Sequence, residues 1–554
     1  MLLALQLQAR QQPARTARDS AFEISGVLVD AVTGQPLSKA KVAIAPVTKR
    51  DDFAIVTTGE DGRFFFSHLS PNKYTLSAQR RGYLTQAFHQ HGSFSSSIAV
   101  GQGLDSSNLI FPLPPESIIS GTILDEAGEP VRDAQVMLYQ TGVAGGTQGT
   151  RLRTQTTSDD QGSYRFGHLA PGRYIIAVSA RVWYAQRPQP KSPVLRTTFS
   201  GERPHEMYAE SQGGITGKLD DKNTSSDSPL DVVYPITFYP ASTDPSAATP
   251  ITLKDGEKFT ADVSLQPVAA LRLQLTGDGT NGTQNRFVTL ERKLFDGSTV
   301  PVIAETRISA SGAMEVVGVP PGQYTVKVID AANPQQPVAM HEINAANSGP
   351  VVPLDVEGSH VTVTVQLDPG TPRPTQSFLQ LVNTKTRENF NERIPEKGEL
   401  EYKQNIPPGT YQIALTNGAG TYIRSISATG AKVSGRSIEL KGAGTVKLSI
   451  ALGHGQGQVT GTALREGKPF AGAMIVLVPA DPGNNEVLFR RDQSDSDGTF
   501  TLGAAVPGKY TVIAIDNGWE LEWMNPRGLK PYLGQGTAVE VQPNGKYDVK
   551  VKVQ

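Results

Sequence analysis

The sequence predicts an all-β chain, a tandem array of β-sandwich modules. Three observations carry this. One stretch recurs five times, a glycine turn followed by a strand, a proline corner and a tyrosine: Gly62, Pro71, Tyr74; Gly162, Pro171, Tyr174; Gly312, Pro321, Tyr324; Gly398, Pro408, Tyr411; and Gly498, Pro507, Tyr510. Around each copy apolar residues alternate with period two, the mark of a strand with one buried face. The 55 Gly and 39 Pro suit many short strands and turns, and no segment sustains helical periodicity.

The spacing is regular. Pro to Tyr is three residues in every copy, and Gly to Pro is nine in four copies and ten in the fourth. Self-similarity of this kind marks repeated modules. Five modules in 554 residues is about 110 residues each, enough for a sandwich to bury its own core. The predicted order is a disordered leader or signal remnant at 1–21, then sandwiches at 22–114, 115–267, 268–368, 369–453 and 454–554.

The elements follow in order. Met1 to Ala9 reads either as the tail of an incomplete export signal or as a polar leader. Module one opens at Ile24-Ser25-Gly26, alternates at Ala40, Val42 and Ile44, and closes with a hairpin from Ile98 and Val100 to Leu109, Phe111 and Leu113. Module two repeats this from Ile119-Ser120-Gly121, interrupted by a long polar loop at about 185–231. Module three closes through Val352 to Val361, Val363 and Val365, and module four shows no opening strand before Phe378. Gly453 to Gly457 reads as a flexible joint, and module five runs from Val459 to a last hairpin at Val539 to Val553. Each module should hold about seven antiparallel strands in two packed sheets. Each corner tyrosine should point inward with its hydroxyl bonded to nearby backbone.

Composition narrows function. No cysteine is present, so disulfides, thiolate zinc sites and cysteine nucleophiles are excluded. Lys+Arg 52 against Asp+Glu 53 provides no concentrated positive face for nucleic acid. No run approaches the roughly 20 apolar residues of a membrane helix. Neither a cofactor nor a metal is expected. His89-Gln90-His91 would place two rings on one strand face, but no third ligand accompanies them. The acidic turns at Asp61-Gly62, Asp159 to Gly162 and Asp495 to Gly498 lack the distal glutamate of a calcium loop and read as turn formers. No Gly-x-Ser-x-Gly elbow occurs, so no catalytic residue is nominated. His68 and His168, at equivalent repeat positions, read as surface residues.

The candidate binding residues lie in module five. Trp519, Trp523 and Tyr532 cluster around Asn525-Pro526, outside the repeat's core pattern, with Glu522 and Asn525 nearby. Flat rings with polar neighbours can stack on sugar faces. The structural alternative is that the two tryptophans cap the sandwich core. Trp183 and Tyr184 occupy the matching stretch of module two.

Taken together, the Ile-Ser-Gly openings at 24–26 and 119–121, the Gly-Gln-Pro and Gly-Glu-Pro turns before Ala40 and Ala134, and Leu169-x-Pro171-Gly172-x-Tyr174 resemble the carboxypeptidase regulatory-like repeat. That resemblance implies an Ig-like, prealbumin-like (transthyretin-like) sandwich, grouped with carbohydrate-binding folds. Tyr239-Pro240 with Thr243-Asp244-Pro245 also resembles multi-repeat acidobacterial proteins. The zinc peptidase such domains accompany would need a His-x-x-Glu pair, and none occurs. The expectation is a monomeric, exported, non-catalytic scaffold that binds polysaccharide or a surface protein. The competing class is an accessory subunit of a separate peptidase or outer-membrane transporter.

Overall fold

The computed structural model of the chain describes residues 22–186, 229–276, 286–295, 298–308, 314–330, 337–347, 351–353, 358–403, 405–418 and 420–554. The expected leader and nearly all of the expected long loop lie outside the described residues. Contacts divide the chain into two compact units, Met1–Pro115 with Asp495–Asp497, and Glu116–Ser494 with Gly498–Gln554.

The chain is a tandem array of β-sandwich modules. The first unit has one core, from Ile24 to Leu113. It lies between a sheet ordered Arg63–Leu69, Phe22–Asp30, Leu109–Leu113 and a second built on Ala54–Thr57, Lys41–Pro46 and Asn72–Gln79. The second unit has four such cores, spanning Ile119 to Leu265, Leu271 to Val352, Val361 to Leu452 and Val459 to Val553.

The expected corner tyrosines are present in every module. Tyr74, Tyr174, Tyr324, Tyr411 and Tyr510 are buried, and each hydroxyl donates to the carbonyl four residues back: Ser70 (3.0 Å), Ala170 (2.8 Å), Pro320 (2.5 Å), Pro407 (2.8 Å) and Val506 (2.7 Å). The ring fills the core while its polar end closes the corner, so no buried hydroxyl is orphaned. Burial pushes the Tyr324, Tyr411 and Tyr510 hydroxyls up to about 12.

The closing segments are not hairpins. Ile98–Val100 pairs with Asn72–Gln79 in one sheet, whereas Leu109–Leu113 crosses over and pairs parallel with Phe22–Asp30 in the other. The same crossing recurs: Lys258–Thr260 runs parallel to Ser117–Leu124, Gly444–His454 to Ser359–Leu367, and Lys546–Lys552 to Gly457–Arg465. Alternation reports which face is buried and is silent on partner and direction. The opening glycines belong to this crossing. A Cβ on Gly26, Gly121 or Gly461 would stand 2.2, 2.1 or 2.1 Å from the carbonyl oxygen of Leu109, Ala261 or Val549 on the incoming parallel strand.

The boundary expected at 368 also moves. Ser359–Leu367 supplies Val361 and Val363 to the fourth core and is that module's opening strand. The expected joint at Gly453 to Gly457 is not slack: the Gly455 amide donates to Gly420 and its carbonyl accepts from Asn544. His68 and His168 are exposed and left-handed (φ 59° and 55°). His168 falls within the register shift between Phe166 and Leu169 that ends the antiparallel ladder. Gly318 and Ala504 repeat that conformation at φ 78° and 52°. Such bulges re-aim the chain into the proline corner.

Two of the three acidic turns cap their own backbone, whereas Asp495 Oδ1 in the third accepts from the Ser97 amide at 2.7 Å. Asp159 Oδ1 accepts from the Gln161 and Ser163 amides at 2.9 and 2.8 Å, and Asp61 Oδ1 from Arg63 at 3.1 Å. His89 stacks on Phe88 at 4.0 Å, and burial, then His91, lowers its pKa. Among the described residues no group of three or more potential metal ligands surrounds it.

Candidate functional site

Strand Met474–Pro479 is buried on both faces, and so is most of Gly508–Ile515. One face (Ile475, Leu477, Val512, Ala514) enters the fifth core. The other (Met474, Val476, Val478, Ile513, Ile515) needs a second cover, since a bare apolar sheet face in water is costly. The insertion between Ile515 and Thr537 supplies that cover, with Leu529 buried and Trp519, Leu521, Trp523, Met524, Tyr532 and Leu533 half-buried against the same cluster. The insertion contains a short helix, Pro526–Leu533, that sequence periodicity missed. Its start signal was present all the same: Asn525 is the N-cap, its Oδ1 accepting from the Arg527 amide at 3.0 Å, and Pro526 follows at the first helical position.

All five nominated residues therefore share one insertion. The tryptophan rings flank Arg491, whose guanidinium lies 5.1 Å from the Trp519 ring and 5.9 Å from that of Trp523. Such contacts stabilise by about 0.5–2 kcal/mol each. Burial lowers the Arg491 pKa to about 10. Trp523 stands edge-on to Phe489 at 6.3 Å, and its buried indole Nε1 has no hydrogen-bond partner among the described residues. Glu522 Oε2 accepts from Asn525 Nδ2 at 2.8 Å, and the Tyr532 carbonyl accepts from Gln554.

The insertion also reaches outside its module. Glu522 Oε1 accepts from the Gln148 amide at 2.8 Å, and the Met524 amide donates to the Gly146 carbonyl at 3.0 Å. A Cβ on Gly146 (φ +87°) would stand 2.4 Å from Met524 Cγ and 2.8 Å from Trp523. Gly146 and Gln148 lie at the tip of the hairpin formed by Gln135–Ala144 and Thr147–Thr157 of module two. The hydrogen bonds from Asn525, then Gln148, lower the Glu522 pKa. Gly146, Gln148, Phe489 and Arg491 were not foreseen as parts of this site. The Gly145-Gly146 pair was legible only as a turn.

Modules two and three are joined too. Met137, Tyr139, Ile175, Ala177, Ile236 and Phe238 share a second buried cluster with Leu294 and Val300. Between modules four and five, the Arg436 amide donates to Asn484 at 2.9 Å and Arg387 pairs with Glu486 at 3.5 Å.

This architecture is a tandem array of β-sandwich modules. Residues 23–106 and 118–191 each match the model of the carboxypeptidase regulatory-like domain, and the expected motifs at 24–26, 119–121 and 169–174 fall inside those spans. No curated protein matches the sequence. Among solved structures, the Bacillus anthracis TIE protein is similar at 11% identity, over 98% of this chain and 76% of that one, with a TM-score of 0.16. A Streptococcal ancillary pilin is similar at 12% identity, over 60% of this chain and 98% of that one, at 0.19. BcpA, the major pilin subunit of Bacillus cereus, is similar at 14% identity, over 51% and 98%, at 0.15.

Proposed function

We propose that the chain is an exported, non-catalytic, monomeric scaffold that binds polysaccharide through the module-five insertion. Trp519, Trp523 and Tyr532 supply the ring surfaces, and Glu522 and Asn525 hold them in place. One observation supports this most: three aromatic rings stay half-exposed on a platform braced by Arg491, by a helix cap and by the module-two hairpin. A rigid aromatic platform loses little conformational freedom on binding, which favours affinity.

The test is affinity electrophoresis of the full chain in polysaccharide-loaded gels, run beside a thermal melt. Retardation that disappears in Trp519→Ala and Trp523→Ala supports the reading. Unretarded migration, with the same substitutions only lowering the melting temperature, assigns the insertion to module docking alone. Co-purification with a protein partner in that case favours the accessory-subunit class.

A further inference from the structure

Modules four and five meet over a small hollow of about 60 Å³ whose wall includes no residue of the aromatic insertion. Each module sends one arginine into that wall. Arg436 stands in the two-residue turn between Lys432–Ser434 and Ser437–Leu440 of module four, and its amide donates to the Asn484 carbonyl of module five at 2.9 Å. Arg490 opens the strand Arg490–Gln493 of module five. Ile423 of module four, Leu488 and Val506 of module five, and Gln456 of the connection between them also line the hollow.

Arginine is seldom buried without a paired charge, yet Arg436 is only 9% exposed. Its Nη2 donates to the Ile423 carbonyl, while its Nε and Nη1 have no partner among the described residues and keep accessible surface. Arg490 donates through Nε to the Ala504 carbonyl at 3.1 Å and through Nη1 to those of Val487 and Phe489 at 3.0 and 2.7 Å, which leaves its Nη2 in the same state. Both side chains line the hollow, so the nitrogens left over open onto it.

Nothing in the wall answers these charges. Arg436 and Arg490 are the only charged residues among those described there, and neither forms an ion pair among the described residues. Burial chiefly, and the neighbouring Arg490 further, lower the Arg436 pKa to about 10 against an opposing pull from Tyr510. The Tyr510 hydroxyl is itself pushed up to about 12 by burial, so it is neutral at physiological pH. The carboxylates of the flanking segments face other partners: Glu486 pairs with Arg387 at 3.5 Å, Asp368 with Arg424 at 2.9 Å, and Asp492 Oδ2 accepts from the Thr501 amide at 2.7 Å. Water in the hollow can accept from the free nitrogens but brings no charge, and an uncompensated buried charge is strongly destabilising.

We infer that this hollow binds a phosphate-class oxyanion that bridges modules four and five. Such an ion accepts several charge-assisted bonds and matches the planar fork of a guanidinium. A doubly charged one balances both arginines. The hollow is several times the roughly 10–15 Å³ that one water needs, enough for about five heavy atoms and too small for a sugar ring. Because the two arginines come from different modules, an ion that binds only the docked pair stabilises the docking. None of the residues nominated for polysaccharide takes part.

The test is calorimetric titration of the full chain in chloride buffer at about pH 8, where phosphate is doubly charged, with inorganic phosphate and separately with glycerol 3-phosphate. Phosphate fills one saturable site. Arg436→Met, which removes one charge and keeps much of the bulk, reduces affinity about tenfold, and its melt in phosphate-free buffer checks that it folds. In the wild-type chain, phosphate slows hydrogen exchange about tenfold in Ser437–Leu440 and Arg490–Gln493 and leaves Ser117–Leu124 unchanged, a readout that needs no variant and decides the matter if Arg436→Met does not fold. Matching affinities for the two ligands assign the site to a phosphoryl group carried on a larger molecule, and binding of phosphate alone assigns it to the free ion; either supports the inference. Binding of neither, undiminished affinity in Arg436→Met, or unaltered exchange in Ser437–Leu440 and Arg490–Gln493 overturns it.

Discussion

Replacing Tyr174 separates the two contributions of a corner tyrosine and tests whether modules unfold alone. Tyr174 is 1% exposed and donates to Ala170 at 2.8 Å. Tyr174→Phe keeps the ring and deletes the bond. Ala170 is only half-buried, so water can reach its carbonyl, and the loss is about 1 kcal/mol. Tyr174→Ala also empties the ring's site and costs about 3–5 kcal/mol, as for other large-to-small aromatic changes. Strand Gly172–Ser179 gives Ile176 and Val178 to its own core but Ile175 and Ala177 to the cluster shared with Leu294 and Val300. Loosening that strand therefore loosens module three. The assay is native-state hydrogen exchange read by peptide mass. Tyr174→Phe raises exchange in Gly172–Ser179 roughly fivefold, matching about 1 kcal/mol. Tyr174→Ala raises it in Gly172–Ser179, Gln135–Ala144 and Arg286–Phe295 together, and leaves Gly444–His454 unchanged. Unchanged protection in Arg286–Phe295 while the second core opens would refute the coupling.

Two further outcomes are expected. Gly121→Ala forces a methyl to within 2.1 Å of the Ala261 carbonyl, so the parallel strand must shift, and urea unfolding should show a loss of about 2–4 kcal/mol. The Glu522 pKa is depressed in the fold, so its contribution is present above the ordinary carboxylate pKa of about 4 and is lost as pH falls through the lower folded value. Protection of the Gln148 amide, taken relative to its intrinsic exchange rate at each pH, should fall as pH drops through that lower folded value in the wild-type chain, and Glu522→Gln should abolish that acid dependence.

Much of the core was legible because glycine, proline and tyrosine carry conformational demands in their own chemistry. The five corners, the inward rings and the alternating strands follow from such local demands. Topology did not follow, because Leu109 to Leu113 alternates identically whether it returns as a hairpin or crosses to the other sheet. The fourth module's opening strand was hidden for a related reason. Val361, Val363 and Val365 alternate as any half-buried strand does, and the pattern carries no marker of which core receives them. The candidate residues were found by composition, as aromatics outside the repeat. Their neighbours were not, because Gly146 and Gln148 lie more than 300 positions away in the chain and only tertiary folding unites them.

Cross-linking between the module-two hairpin and the module-five insertion reads out whether the aromatic insertion holds these modules together. The chain has no cysteine, so Gln148→Cys with Glu522→Cys introduces its only two thiols. A short bis-maleimide should close the pair intramolecularly, rapidly and near-completely, and Met524→Ala should slow that closure. Two thiols that react independently with a monofunctional maleimide, and never with each other, would contradict it.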